Sequence, residues 1–232
     1  MPKEPESLIR DLRRTFRALA DPERAAGARR YMKSAMPYYG IPAKPFRKAC
    51  KEVFARHPLS GFEAWREAVL VMFRGARHRE ERYAAIELSG LRAYAEHRTM
   101  RALPVFEEII VTGAWWDLVD GVAAHRLGGL LRRHPASMKK AMLRWSREDD
   151  MWKRRGSILC QLRFKEETDL ELLYACIEPS LESREFFLRK AIGWALRQYA
   201  WTEPREIVRY VKENESRLSP LSRREALRNI GR

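Results

Sequence analysis

Helical periodicity runs through nearly all of this 232-residue sequence, and no segment alternates apolar and polar residues as a half-buried strand does. Helix starts are marked by a serine or threonine three residues before a glutamate, and by prolines suited to a first helical turn. These signals lie at Ser60, Thr168 and Ser222, and at Pro45, Pro135 and Pro204. The pattern predicts an all-α protein of about a dozen helices, each of ~10–17 residues, joined by short connections.

Weak internal repeats refine this prediction. Arg56-His57-Pro58 recurs as Arg133-His134-Pro135, and Arg154-Arg155 with the apolar run behind it recurs 35 residues later as Arg189-Lys190. Such offsets favour stacked helix pairs of HEAT-like size, forming a right-handed α-solenoid that is one concave domain over residues 1–232. The alternative is an irregular helical domain in which the matches arise by chance.

The charge balance points to a polyanionic partner. Lys and Arg total 46 against 31 Asp and Glu, a net charge of +15, on a chain that is 45% hydrophobic and therefore globular. Nucleic acid is favoured over a membrane, because the longest apolar run, residues 68–73, is far too short to span one. The polar start of the chain, residues 1–6, lacks the apolar stretch of a secretion signal, which predicts a cytoplasmic location.

Metal and cofactor chemistry is not expected. Cys50, Cys160 and Cys176 form no CxxC pair, and the five histidines are scattered without a ligand spacing. Three unpaired cysteines are typical of buried thiols in a reducing compartment. No glycine-rich phosphate loop is present either, so we expect no metal and no small-molecule cofactor.

Two candidate functional faces emerge from helical spacing. Trp116 and Asp120 stand four residues apart, so an indole and a carboxylate share one face, and both groups stabilise a developing positive charge. Lys190, Trp194 and Arg197 lie at i, i+4 and i+7, a stripe suited to the sugar-phosphate backbone. The structural alternatives are buried tryptophans, an acid that serves the first helical turn, and cations whose charged ends reach water.

Several segments together resemble the AlkD family of bacterial DNA glycosylases, HEAT-like enzymes that excise N3- and N7-alkylated purines. The similarity extends from about residue 8 to the end of the chain, and the Trp-Trp-Asp-x-Val-Asp and Lys-Ala-Ile-Gly-Trp strings are fairly specific. The matching segments are residues 30–33, 40–42, 115–120, 152–155, 185–194 and 220–226.

The resemblance implies an activity and its catalytic residues. Asp120 resembles the catalytic carboxylate, which stabilises an oxocarbenium-like sugar and positions water, while Trp116 and Trp194 resemble aromatic walls beside the damaged nucleotide. The substrate implied is double-stranded DNA that contains alkylated purines, acted on by a monomer located at the bacterial nucleoid when bound. A cationic base leaves without a general acid, which agrees with a carboxylate in this position.

The resemblance also implies DNA contacts. Arg155 resembles an arginine that contacts the DNA backbone near the lesion, and Tyr31 resembles a residue of the same cleft. Lys190 and Arg197, taken from the spacing above, are expected to grip the backbone too. Arg163 stands where lysine is expected, so a cation is kept but its geometry differs.

Two other classes of protein compete with a glycosylase. One is a HEAT-like DNA-binding or scaffold protein without catalytic activity, since a fold alone does not establish an activity. Asp120 separates the two, because a protein that only binds phosphates has no need of a carboxylate among its cations. The other is a protein-interaction solenoid, for which we would expect exposed apolar grooves and a more balanced surface charge.

Overall fold

The computed structural model describes residues 4–230, and every regular element in that range is helical. Fourteen α-helices are connected by short segments, several of them single turns of 3-10 helix, so the all-α prediction is confirmed. Their bounds are α1 Glu4–Ala18, α2 Pro22–Met32, α3 Ala43–Arg56, α4 Gly61–Arg74, α5 Arg79–Ser89, α6 Leu103–Gly113, α7 Trp116–Val122, α8 Gly128–Arg133, α9 Pro135–Trp145, α10 Met151–Leu159, α11 Leu170–Ile177, α12 Phe186–Tyr199, α13 Pro204–Glu213 and α14 Pro220–Ala226.

The proline signals locate helix starts correctly. α9 begins at Pro135 and α13 at Pro204, where the missing N–H of proline costs the helix no hydrogen bond. Pro45 lies in the first turn of α3. Ser60 is the N-cap residue of α4, although its side chain makes no capping hydrogen bond.

The other two predicted N-cap positions are wrong. Asp169, one residue after Thr168, caps α11, because its carboxylate accepts from a backbone N–H of the first turn. Ser219 caps α14 and accepts the N–H of Ser222 at 3.0 Å, so Ser222 lies inside the helix. Glu225 therefore has no capping role and is available to a neighbouring helix.

Residues 1–97 form one compact unit, which contains α1 to α5. Leu8, Leu12 and Phe16 lie at intervals of four along α1 and are fully buried, as expected for the apolar stripe of an amphipathic helix. This stripe packs on α3 and α4. The Phe16 ring meets Tyr39 and Phe46 at centroid distances of 5.6 and 5.5 Å, which closes the core of the unit.

Gly40 is required where the α2–α3 connection passes close to the start of α2. Its φ is +82°, and a Cβ there would lie 2.2 Å from the carbonyl oxygen of Asp21. The buried Glu80 carboxylate accepts the N–H groups of Tyr39 and Gly40 at 3.0 and 2.8 Å. The glycine in the 40–42 segment thus has a structural role.

The second compact unit begins at Arg98 and contains α6 to α14, with α10 packed against α6, α7, α9, α11 and α12. Successive segments of this unit are joined by ion pairs between residues 35 positions apart, two of which link α-helices. The pairs are Asp120–Arg155, Arg132–Glu167, Glu182–Arg217 and Lys190–Glu225. This spacing equals the sequence offset of 35 and suits a solenoid-like arrangement. The HEAT-like class, the right-handed sense and the single concave domain remain predictions.

Within residues 4–230, no helix combines the length and the apolar character that crossing a bilayer requires.

Candidate functional site

Asp120 lies in the middle of α7, a helix that starts from a strained turn. Ala114 ends α6 in the left-handed region, at φ 42° and ψ 41°, and Trp115 is extended at φ −153° and ψ 145°. A left-handed conformation costs a non-glycine residue about 1–2 kcal/mol. The turn leads directly into Trp116, the first residue of α7, so Trp116 and Asp120 share one helix face as predicted.

Arg155 of α10 holds the Asp120 carboxylate in a two-pronged ion pair. Its Nε donates to Oδ1 at 2.7 Å and its Nη2 donates to Oδ2 at 2.8 Å. Its Nη1 donates to the carbonyl oxygen of Phe187 in α12 at 2.5 Å. One guanidinium therefore ties α7, α10 and α12 together, and the planar fork fixes the orientation of the carboxylate.

Burial raises the pKa of the Asp120 carboxyl above its ordinary value, although hydrogen bonds and charge from Arg155 offset part of the rise. The nearby Asp117 carboxylate adds to the increase. The Asp120 side chain is only 13% exposed and that of Arg155 only 5%. A carboxylate in such a setting interacts more strongly with a cation placed against it than an exposed one does, because water screens it less.

An aromatic cluster reaches this ion pair through Phe187, whose ring centroid lies 5.9 Å from the Arg155 guanidinium carbon. The rings of Trp115 and Phe187 meet edge to face at 5.4 Å, and Trp152 lies 5.1 Å from Phe187 and 6.2 Å from Trp115. Trp115 therefore fits the structural alternative from the sequence analysis, in which a tryptophan contributes to packing. Trp116 and Trp194 are half-buried, so part of each indole stays accessible.

The predicted basic face of α12 is tied to α14 by one carboxylate. Lys190 Nζ and Arg197 Nη1 donate to the two oxygens of Glu225 at 2.9 and 2.6 Å. The hydrogen bond from Lys190 is the main reason that the pKa of Glu225 lies below its usual value. An ammonium carries three N–H donors and a guanidinium five, so both cations keep donors for an anionic ligand.

Gly193 allows α14 to approach α12 this closely. A Cβ at Gly193 would lie 2.5 Å from the Cβ of Glu225 and 2.9 Å from the carbonyl oxygen of Ser222. The glycine of the Lys-Ala-Ile-Gly-Trp string thus positions Glu225 under Lys190 and Arg197.

Tyr31 and Arg163 are not among the residues joined by these contacts. Tyr31 lies in the last turn of α2, in the unit of residues 1–97, and is 76% exposed. Arg163 follows α10 and its side chain is exposed. In the described part of the chain no three side chains of His, Cys, Asp or Glu are grouped as metal ligands.

Two participants were missed by sequence reasoning. The Phe187 carbonyl anchors Arg155, and a backbone oxygen leaves no signal in a sequence pattern. Glu225, assigned above to a capping box, pairs with Lys190 and Arg197. Its signal was present, because Glu225 follows Lys190 by 35 residues just as Arg155 follows Asp120.

Comparisons with known proteins agree on one group. The family model described as DNA alkylation repair enzyme matches residues 12–230. A solved structure described as a predicted DNA alkylation repair enzyme from Enterococcus faecalis is similar with a TM-score of 0.83 and 29% sequence identity, over 92% of this chain and 97% of that one. The comparison with curated proteins gives no significant match.

Proposed function

Because the chain belongs to the family of DNA alkylation repair enzymes, we propose that it is a DNA glycosylase for cationic N3- and N7-alkylated purines in duplex DNA. One observation carries the proposal. The nearly buried Asp120 carboxylate is held in a fixed orientation by Arg155, one helical turn after the half-buried indole of Trp116. This arrangement fits the stabilisation of a positive charge that develops next to it.

The chemistry needs no acid. The alkylated base is already positively charged, so the glycosidic electron pair moves onto the base nitrogen and the base leaves neutral. The sugar carries the positive charge until water adds to its anomeric carbon and releases a proton. Asp120 stabilises that sugar cation and orients the water, a contribution worth about 3–4 kcal/mol by analogy with other preorganised charges.

Aromatic and cationic side chains complete the proposed site. The indole faces of Trp116 and Trp194 add ~1–2 kcal/mol each when they meet a desolvated cation. Arg155 uses three of its five N–H groups on Asp120 and Phe187, which leaves two for a DNA phosphate. In this proposal Arg155 both positions the carboxylate and contacts the backbone.

The remaining DNA contacts are proposed from charge and exposure. Lys190 and Arg197 bind phosphate through the donors that Glu225 does not use. Arg163 and Tyr31 offer exposed side chains to DNA. We propose that the protein acts as a monomer without a cofactor, in the cytoplasm at the nucleoid.

The decisive experiment compares Asp120→Asn with Asp117→Asn. Each variant removes one negative charge from α7, but in this proposal only Asp120 acts on the sugar cation. We expect release of 7-methylguanine from methylated duplex DNA, under single-turnover conditions, to fall by ~10²-fold or more in Asp120→Asn and to stay near the wild-type rate in Asp117→Asn. Circular dichroism and binding of undamaged duplex check that both variants fold and bind DNA.

Wild-type excision by a folded Asp120→Asn variant would contradict the proposal. The Asp120–Arg155 pair would then be a structural link between α7 and α10. Excision would then depend on residues other than Asp120, whereas a wild-type protein that released no 7-methylguanine would be a DNA-binding protein of this family without catalytic activity.

A further inference from the structure

Four arginines line a single cleft in the unit of residues 1–97. Arg10, Arg13 and Arg17 come from α1, and Arg77 comes from the connection between α4 and α5. The cleft has a volume of about 360 Å³, which accommodates a phosphate group with its hydrating water. Glu6, Ile9, Val71 and Gly75 complete the lining, so one acid faces four cations.

Arg13 is fixed at the base of this cleft. Its Nη2 donates to the carbonyl oxygen of Gly75 at 2.6 Å, and its Nε and Nη2 donate to Glu81 at 3.1 and 2.9 Å. The Glu81 side chain is only 2% exposed and also accepts the Tyr39 hydroxyl at 2.8 Å and the backbone N–H of Arg77 at 3.0 Å. The charge of Glu81 is thus neutralised inside the unit and does not repel an anion in the cleft.

The other three arginines are available to a ligand. Arg10, Arg17 and Arg77 are exposed, and within residues 4–230 none of their guanidiniums forms an ion pair. The α1 arginines stand at i, i+3 and i+7 and form a row. At the helical rise of 1.5 Å per residue this row spans about 10.5 Å along the helix axis. A row of cations of this length is longer than one phosphate group requires.

We propose that this cleft binds the sugar-phosphate backbone of DNA, as a contact of the N-terminal unit in addition to the site built around Asp120. The charges of one DNA strand repeat regularly along its backbone, so a row of ~10.5 Å faces more than one phosphate. Ile9 and Val71 supply apolar surface for the sugars between them. The inference rests on DNA as the partner and not on the excision chemistry.

The test is the salt dependence of binding to undamaged duplex DNA. The variant is Arg10→Gln/Arg17→Gln, which removes two exposed charges and leaves the Arg13–Glu81 pair in place. We expect weaker binding and a plot of log affinity against log salt that is shallower by about 1–2, because each phosphate contact contributes about 0.9 to the slope. Because the duplex is undamaged, failure of the glycosylase proposal leaves this result unaffected.

The matched control is Arg14→Gln/Arg66→Gln. Both control arginines are exposed and lie on α1 and α4, but they pair with Asp11 and Glu63 on their own helices and do not line the cleft. Equal slopes for the cleft variant and the control variant, with both variants folded, would overturn the proposal. The proposal would also be overturned if the cleft variant lost the binding of inorganic phosphate, measured by phosphorus NMR, but bound duplex DNA as the wild type does. The ligand of the cleft would then be a small free anion.

Discussion

Asp120 and Arg155 depend on each other at the residue scale. Each is nearly buried, and either one left alone would be a charge without a counter-charge in a poorly solvated place. Asp120 nevertheless keeps a raised pKa, so folding holds the carboxylate in a setting that is unfavourable for its charge. A titratable residue held in a setting that disfavours its charge is typical of a functional site.

Replacing Arg155 tests how much the ion pair with Asp120 stabilises the fold. Arg155→Ala leaves Asp120 and the Phe187 carbonyl without their donors, so we expect the free energy of unfolding to fall by about 3–5 kcal/mol. Arg155→Lys keeps a charge but not the planar fork, and we expect it to recover part of the stability. Thermal or urea denaturation measures the stability of both variants. An Arg155→Ala variant as stable as the wild type would show that the ion pair does not stabilise the fold.

The raised pKa of Asp120 predicts a pH dependence. An acid whose pKa rises on folding opposes folding more strongly as the pH rises through that pKa. Under the proposed mechanism excision has the opposite trend, because it needs the carboxylate and should be lost as the pH falls through the same pKa. Asp117→Asn removes a charge that raises the pKa of Asp120. In this variant the excision rate should therefore fall at a lower pH than in the wild type. Single-turnover excision rates measured as a function of pH test this. A fall at the same pH as in the wild type, or at a higher pH, would count against Asp120 as the titrating group.

At the scale of elements, the site depends on short helices held at close approach. α7 has seven residues and continues into a π-helical turn, Ala123–Leu127, a type of irregularity frequent at functional sites. α12 contacts both α10 and α14. The two residues that allow or fix these approaches, Arg155 and Gly193, matter more to the site than the helix propensity of any segment.

Gly193→Ala tests the approach of α12 to α14. The new Cβ would meet Glu225 and the backbone of Ser222 at under 3 Å, so the helices must separate and we expect a loss of about 1–3 kcal/mol in unfolding free energy. Gly129→Ala is the control, because nothing lies within 4 Å of its added Cβ, and alanine there should stabilise α8 by up to about 1 kcal/mol. Equal denaturation midpoints for the two variants would contradict the packing argument.

At the scale of the whole molecule, the net charge of +15 is distributed among different roles. Arg155, Lys190 and Arg197 have acidic partners within the fold. The guanidiniums of Arg10, Arg17 and Arg77 form no ion pair among the described residues. Net charge alone predicts an electrostatic attraction to DNA, and only the pairing of each arginine shows which charges are available without displacing a partner.

The sequence by itself determined the all-α class, the proline-marked helix starts and the helix face shared by Trp116 and Asp120. Those features follow from local periodicity and first-turn chemistry, which act over a few residues. The tertiary structure alone decided that Arg155 grips Asp120 and that Glu225 joins Lys190 to Arg197. Each of these contacts joins side chains about 30 residues apart or more, whose meeting depends on how neighbouring helices pack, and helical periodicity reports the buried face but not the partner across it.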